Sequence, residues 1–226
     1  MTTDRQNLPA KCLNCQTALA TPLVCDGCHS LYPPPFGSDY FYLLGLPRSY
    51  AVDEKKLRAA FRSIARSIHP DRFNDATDEI RALATRLSAE LNQAFDVLSD
   101  PVRRADYLLE IAGGPSAAEM REVPGEFLAD IMMLREEIDQ AQTAEDDDAL
   151  LRHRESIAAR RRETLGQIAA LAESAADLDE PSRKVLRQLL NSMKYYDNLL
   201  MELAVDPLAV QLSEPRPSGR ADVRTG

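Results

Sequence analysis

The stretch that decides the fold is residues 53–73, DEKKLRAAFRSIARSIHPDRF. Asp53 is a favoured helix N-cap, and Pro70 is expected to end the helix because proline disfavours the α conformation in the residue before it. Between these two residues the apolar side chains recur at helical spacing. The stretch therefore predicts an amphipathic helix to about Ile68, followed by a short loop. Its apolar positions are Leu57, Ala60, Phe61, Ile64 and Ile68.

The polar side of this helix is basic, although the chain as a whole is acidic. Residues 53–68 hold five basic and two acidic residues, whereas the full chain carries a formal charge of −9. The acidity lies mainly after residue 111, which lowers the expectation of non-specific nucleic-acid binding. The basic side can steer an acidic partner, or it can be a solvated helix face. Its cations are Lys55, Lys56, Arg58, Arg62 and Arg66.

Composition and periodicity predict an all-α protein. Aromatic residues make up only 6% of the 226 residues, there are nine glycines, and neither a GxGxxG nor a P-loop motif occurs. Apolar periodicity predicts further helices over 39–47, 78–99, about 103–111, about 124–143, 146–176 and 181–204. The proline run at 33–35 and the AGGP sequence at 112–115 indicate domain boundaries, and residues 206–226 are predicted to be a disordered tail.

The four cysteines form two CxxC pairs separated by nine residues. Two such turns can surround one ion with four thiolates, so Cys12, Cys15, Cys25 and Cys28 predict a metal site. Zinc is the expected ion, and rubredoxin-type iron is the lesser alternative. Two local disulfides or a redox CxxC are the other interpretations. Because the rest of the chain has no cysteine, a reducing compartment is expected.

In the C-terminal half, a few large apolar residues fall off the predicted core stripes. The fifth helix has its stripe at Phe127, Ile131, Leu134 and Ile138, while Leu128 and Met132 lie about 100–140° around the helix. Tyr195 is similarly displaced from the stripe of the last helix. An exposed apolar patch of this kind often indicates a protein interface. A wider core, a packing contact with the preceding domain, or ordinary exposed apolar surface are the alternatives.

Several short motifs match one known family at the corresponding positions. They are Asp39-Tyr40-Phe41, Leu44-Gly45-Leu46-Pro47, His69-Pro70-Asp71-Arg72-Phe73, Leu91-Asn92-Gln93-Ala94-Phe95, Asp100-Pro101, Arg104-Ala105, Tyr107-Leu108-Leu109, Phe127-Leu128 and Leu134-Arg135-Glu136-Glu137. With these motifs residues 39–111 resemble a J-domain, and in detail the chain resembles the HscB (Jac-type) co-chaperones of iron–sulfur cluster assembly over roughly residues 39–204. The N-terminal cysteines resemble the tetracysteine extension of a subset of that family.

The resemblance implies a co-chaperone that is not itself an enzyme. It implies that a J-domain helical hairpin docks on a DnaK/HscA-class chaperone and stimulates its ATPase. It also implies that an antiparallel three-helix bundle binds an IscU-type scaffold protein. The implied chaperone-binding residues are His69, Pro70, Asp71, Arg58, Arg62 and Arg66, and the implied scaffold-binding residues are Leu128, Met132, Arg135, Glu136 and Tyr195.

The sequence and this resemblance together imply four segments: a metal module with its linker (1–38), a J-domain (39–111), a scaffold-binding bundle (112–205) and a tail (206–226). A cytoplasmic location is expected, with no membrane span and no nucleic-acid partner. A general J-protein for unfolded clients is the main alternative. A zinc-ribbon nucleic-acid binder and a CxxC redox enzyme are the rivals from other classes. Monomer and dimer both remain open.

Overall fold

The computed structural model describes residues 11–204, and within that range the chain forms seven α-helices, two 3₁₀ turns and no strand. The predicted tail at 206–226 lies outside the described residues. No helix in the described range is both long and apolar enough to span a membrane. The helices are α1 (Tyr40–Leu43), α2 (Glu54–Ile68), α3 (Asp78–Ser99), α4 (Pro101–Ile111), α5 (Gly125–Thr143), α6 (Asp147–Ala172) and α7 (Glu180–Glu202).

The ends of α2 follow the local rules predicted from the sequence. The Asp53 carboxylate accepts hydrogen bonds from the amides of Lys55 and Lys56 at 2.9 and 3.1 Å, which satisfies two of the four donors at the helix start. The helix ends at Ile68, as Pro70 predicted. The segment that follows is more regular than a loop, because Pro70–Phe73 forms a 3₁₀ turn.

One hydrophobic core joins α1, α2, α3 and α4. Helices α2 and α3 pack as a hairpin, and Phe61 of α2 stacks on Phe95 of α3 with ring centroids 4.2 Å apart. This confirms the helical hairpin predicted around the His-Pro-Asp sequence. The buried side chains of this first core include Phe41, Leu43, Leu44, Leu57, Ile64, Ile68, Leu87, Leu91, Ala94, Leu98 and Leu108.

The C-terminal helices α5, α6 and α7 share a second core. Its fully buried members are Ile157 of α6 and Leu199 of α7, and Ile131, Leu134 and Ile138 face them from α5. These α5 residues are the stripe that the sequence predicted. The described residues form two compact units, of which the second comprises Glu122–Thr164 and the residues from Asn191 onward.

The prediction for α6 was wrong at its C-terminal end. A single helix over 146–176 was expected, but α6 ends at Ala172 and a 3₁₀ turn follows at Ala175–Asp177. Ala175 is buried and belongs to the first core. Because that contact is tertiary, helical periodicity alone could not reveal the break.

Candidate functional site

The His-Pro-Asp segment is flanked by buried residues, while its own polar side chains are exposed to solvent. Ile68 and Phe73, which bracket the segment, are buried. His69 and Asp71 are exposed between them, and the Asp71 side chain is 82% exposed. His69 caps the 3₁₀ turn, because its Nδ1 accepts the Asp71 amide at 3.3 Å. The Asp71 carboxylate lies 3.5 Å from the same His69 nitrogen.

The cations of α2 lie on its exposed side, in the same helix that ends at His69. Arg58, Arg62 and Arg66 are all exposed. Arg58 lies 3.9 Å from the Glu54 carboxylate, a surface pair that contributes little to stability. Arg66 donates from Nε to the carbonyl of Arg62 at 3.1 Å. The helix can therefore present several positive charges to a partner.

The four cysteines converge, as their spacing predicted. All four Sγ atoms lie within 4.8 Å of one another, and the Cys12–Cys28 and Cys15–Cys25 sulfurs are 3.5 Å apart. A tetrahedral zinc–thiolate site, with Zn–S near 2.3 Å, needs sulfur–sulfur separations of about 3.8 Å. The donor set therefore fits a closed Cys₄ metal site with only a small adjustment of the side chains. His29 is not part of the group.

The two CxxC turns have the same backbone structure. In each turn the residue after the second cysteine, Gln16 or His29, takes a left-handed conformation with φ near +60°. Its amide donates to the carbonyl of the first cysteine, Cys12 or Cys25, at 3.0 and 2.9 Å. Amides of Asn14 and Cys15 lie 3.4 Å from the Cys12 sulfur, and the Gly27 amide lies 3.3 Å from that of Cys25. These amide donors favour the thiolate form. At Cys25 the amides of Cys28 and Gly27 are outweighed by burial and by the Cys15 and Cys12 sulfurs, which raise its pKa to about 11.

Gly27 lies in the second CxxC turn, and its φ is not positive, so a left-handed backbone is not the reason for glycine here. A Cβ at this position would lie 2.8 Å from Thr17 Oγ1 and 3.4 Å from the Cys15 sulfur. Glycine leaves room for the close approach of the two turns, and a larger residue would displace the Thr17 side chain.

Tyr32, which immediately precedes the proline run at 33–35, contacts the cysteine cluster, and the sequence did not predict this contact. Its hydroxyl donates to the Cys12 sulfur at 3.0 Å and accepts the Leu13 amide at 3.0 Å. The Tyr32 hydrogen bond, with further help from backbone amides, lowers the pKa of Cys12 to about 5 against the opposing effect of burial. The Cys12 thiolate is therefore favoured before any metal binds. No local sequence signal distinguishes this tyrosine from a linker residue.

The predicted scaffold-binding residues on α5 lie on its solvent side. Leu128 is exposed, and Met132 one turn later is 66% exposed. Arg135 Nη2 lies 3.3 Å from the Glu202 carboxylate of α7, and Glu136 accepts a hydrogen bond from Gln140 at 3.2 Å.

Tyr195 differs from Leu128 and Met132 because it is half-buried. It packs edge-on against Phe127, with ring centroids 5.6 Å apart, at the margin of the second core. Helical periodicity placed Tyr195 away from the core because it assumed a narrow apolar stripe on the last helix. The large Phe127 ring widens the core towards it.

Comparisons with known proteins agree with this architecture. Family models described as "DnaJ domain" and "HSCB C-terminal oligomerisation domain" match residues 39–107 and 123–204. A co-chaperone protein HscB homolog from Burkholderia mallei is 35% identical over 152 residues, which cover 67% of this chain and 86% of the relative. The homolog from Vibrio cholerae is 32% identical over 169 residues, covering 72% and 99%.

Two solved structures share the fold. The crystal structure of human co-chaperone protein HscB superposes with a TM-score of 0.68 at 24% identity, covering 85% of this chain and 96% of that chain. The chaperone HscB from Vibrio cholerae gives a TM-score of 0.63 at 29% identity, covering 77% and 99%.

Proposed function

The chain belongs to the HscB co-chaperone family, and we propose that it stimulates the ATPase of a DnaK/HscA-class chaperone and delivers an IscU-type cluster scaffold protein to it. The observation that carries the first part is the His-Pro-Asp segment. Its neighbours Ile68 and Phe73 are buried, while its polar side chains His69 and Asp71 are exposed. The burial of Ile68 and Phe73 anchors the segment and leaves the Asp71 carboxylate exposed to a partner.

Asp71 is the residue of this segment best suited to recognise a cation on the partner. An exposed carboxylate on a short 3₁₀ turn can enter a charge-assisted pair with a partner arginine. Pro70 fixes the backbone at the start of the turn, and His69 holds the Asp71 amide. We assign His69 and Pro70 to shaping the turn that presents Asp71, and all three to chaperone binding.

The basic side of α2 supports docking on an acidic surface of the chaperone. Arg58, Arg62 and Arg66 are exposed on the helix that leads into the His-Pro-Asp segment. Charges of this kind increase the association rate and make it depend on ionic strength. Stimulation is therefore expected to weaken as salt rises, more steeply for the native chain than for a variant lacking these arginines.

The α5 surface supports a role in scaffold binding. Leu128 and Met132 form an exposed apolar pair, with Arg135 and Glu136 as polar neighbours. Burying two such side chains in an interface contributes about 1.5–3 kcal/mol each. Tyr195 is assigned to the margin of the same interface, where its ring supports Phe127.

The four cysteines are proposed to hold one structural zinc ion, with iron as the lesser alternative. A closed Cys₄ cage leaves no open position for a substrate, so the ion would supply cross-linking and no catalytic chemistry. Cys12, Cys15, Cys25 and Cys28 would be the ligands, and the Tyr32 hydroxyl would orient the Cys12 sulfur. All four cysteines are unpaired, which suits a reducing cytoplasm.

The test of chaperone stimulation is a steady-state ATPase assay with the cognate DnaK-class chaperone, with and without scaffold protein. The native chain is expected to raise turnover, and His69→Gln is expected to abolish the increase. His153→Gln is the matched control, since it makes the same change on α6, outside the segment. No increase by the native chain, or an equal increase by His69→Gln, contradicts the proposal.

The test of scaffold binding compares two adjacent methionines. Met133 is 61% exposed, nearly as much as Met132, but it lies about 100° around the helix. Leu128→Ala with Met132→Ala should weaken scaffold binding at least about tenfold, whereas Met133→Ala should not. Stimulation measured without scaffold should stay at the native level. Equal loss from the double variant and from Met133→Ala would contradict the assignment of this surface.

A broader role in binding unfolded clients makes a different prediction. A general J-protein would capture denatured proteins through apolar surface without preference for one scaffold. If an unrelated denatured protein competes with the scaffold at equal concentration, and Leu128→Ala weakens both equally, the general role replaces the specific one.

A further inference from the structure

The cysteine module is built into the J-domain core and does not form a separate domain. Leu23 and Val24 lie between the two cysteine pairs, and both are 0% exposed. They belong to the same core cluster as Phe41, Leu57 and Ile68. By contrast, Leu13 in the first CxxC turn is 78% exposed.

The backbone of the module ties these two residues to the cysteines. The Tyr32 amide donates to the Leu23 carbonyl at 2.8 Å, and Val24 is bonded to Cys25 and forms an isolated bridge with Leu31. A segment of this size has too little core of its own to stay folded without metal or support from neighbours. The four sulfurs are therefore connected to Leu23 and Val24 through a short stretch of hydrogen-bonded backbone.

A second contact reaches the His-Pro-Asp segment itself. Nη2 of Arg72 lies 3.5 Å from Nε2 of His29, the residue that follows the second cysteine pair. Arg72 follows Asp71 in the 3₁₀ turn, and its amide donates to the His69 carbonyl at 3.0 Å. At 3.5 Å the side-chain contact is weak, so the shared core is the main connection and this contact is a second, direct one.

We propose that metal binding by the four cysteines positions the His-Pro-Asp segment, so that stimulation of the chaperone depends on metal occupancy. The inference rests on the proposed function, and it assigns the module a positioning role within the J-domain. The physical route is Leu23 and Val24 to the core that contains Ile68, and then to the segment that begins at His69. Because coupling is reciprocal, a weaker core contact must also weaken metal binding.

The first test follows amide hydrogen exchange in the full chain, reduced throughout, as the zinc-loaded protein and after zinc removal by a chelator. Peptides covering residues 57–76 should exchange at least about tenfold faster after zinc removal, because the anchoring of the segment is lost. A peptide within α5 serves as the internal reference, since α5 belongs to the second unit. Equal exchange of residues 57–76 with and without zinc would overturn the proposal.

The second test changes the core contact and leaves all four cysteines in place. In the zinc-loaded state, Leu23→Ala should speed exchange of residues 57–76 and lower zinc affinity several-fold, as measured by competition with a chromogenic chelator. Leu13→Ala is the matched control, with the same change at an exposed site of the module. If the two variants behave alike, the core is not the route of coupling.

Chaperone ATPase assays then separate this inference from the proposed function. If the zinc-loaded chain does not stimulate the chaperone, the proposed function fails, while the exchange data still decide whether metal positions the segment. If zinc-loaded and zinc-free chains stimulate equally, the proposed function stands and the dependence on metal is wrong. The expected result is several-fold weaker stimulation by both the zinc-free chain and zinc-loaded Leu23→Ala.

Discussion

Arg104 is the buried cation whose removal gives the sharpest test of how the J-domain is held together. It lies on α4 and is almost completely buried. Its Nε donates to the Leu98 carbonyl at 2.9 Å, and its Nη1 donates to the Tyr50 carbonyl at 2.7 Å. The guanidinium also lies 5.4 Å from the centre of the Tyr50 ring. One side chain thereby joins the end of α3 to the segment that precedes α2.

We expect Arg104→Met to destabilise the protein by about 3 kcal/mol. Hydrogen bonds from a charged donor contribute about 1.5–3 kcal/mol each, and two are lost. Two carbonyls would then lack their partner, but the cost of burying the guanidinium would disappear too. We therefore use the lower limit of the combined contribution of the two hydrogen bonds. With a urea dependence of about 2 kcal/mol/M, the midpoint of unfolding should fall by about 1.5 M.

The assay is urea unfolding followed by far-UV circular dichroism, with zinc held constant. Arg103→Met is the matched control, because Arg103 is the adjacent arginine on α4 and its side chain is exposed. Its midpoint should change by no more than about 0.25 M, the equivalent of about 0.5 kcal/mol for a surface substitution. If Arg104→Met and Arg103→Met unfold at the same urea concentration, the inferred role of the two carbonyl bonds is refuted.

Three further predictions concern the metal module, the α2 cap and the exposed carboxylate. Tyr32→Phe removes the hydroxyl that orients the Cys12 sulfur and should weaken zinc binding by about 10–100-fold in chelator competition; an unchanged affinity would count against that role. Asp53→Ala leaves two amides of α2 without their cap and should cost about 1 kcal/mol in urea unfolding, whereas no loss would show that water replaces the carboxylate. Asp71→Asn should change stability by less than about 0.5 kcal/mol and reduce chaperone stimulation at least about 30-fold at subsaturating concentration. Asp75→Asn, at another exposed carboxylate, is the control and should leave stimulation unchanged. Comparable losses in both variants would indicate a general effect of charge.

Several features of the site were predictable because short-range rules determine them. The Asp53 cap and Pro70 fixed the limits of α2, and both are local effects of side-chain hydrogen bonding and backbone sterics. The CxxC spacing likewise fixed which four sulfurs could meet. The roles assigned to His69 and Asp71, as to the α5 surface, remain predictions from family resemblance and exposure.

Other features could not be read from periodicity because they depend on residues distant in sequence. Tyr195 was expected to point away from the core, yet the ring of Phe127, 68 positions earlier, provides its packing partner. The early end of α6 follows from the burial of Ala175 in the first core. A helical wheel describes one helix and contains no information about what its neighbours bury.

The sequence by itself determined the helical class, the helix limits set by caps and prolines, and which four cysteines converge. Only the tertiary structure decided that Leu23 and Val24 fill the J-domain core and that Tyr32 holds the Cys12 sulfur. The physical reason is the range of the interactions. Caps, prolines and CxxC turns act over a few residues, whereas burial is defined by the apolar surfaces that folding brings together.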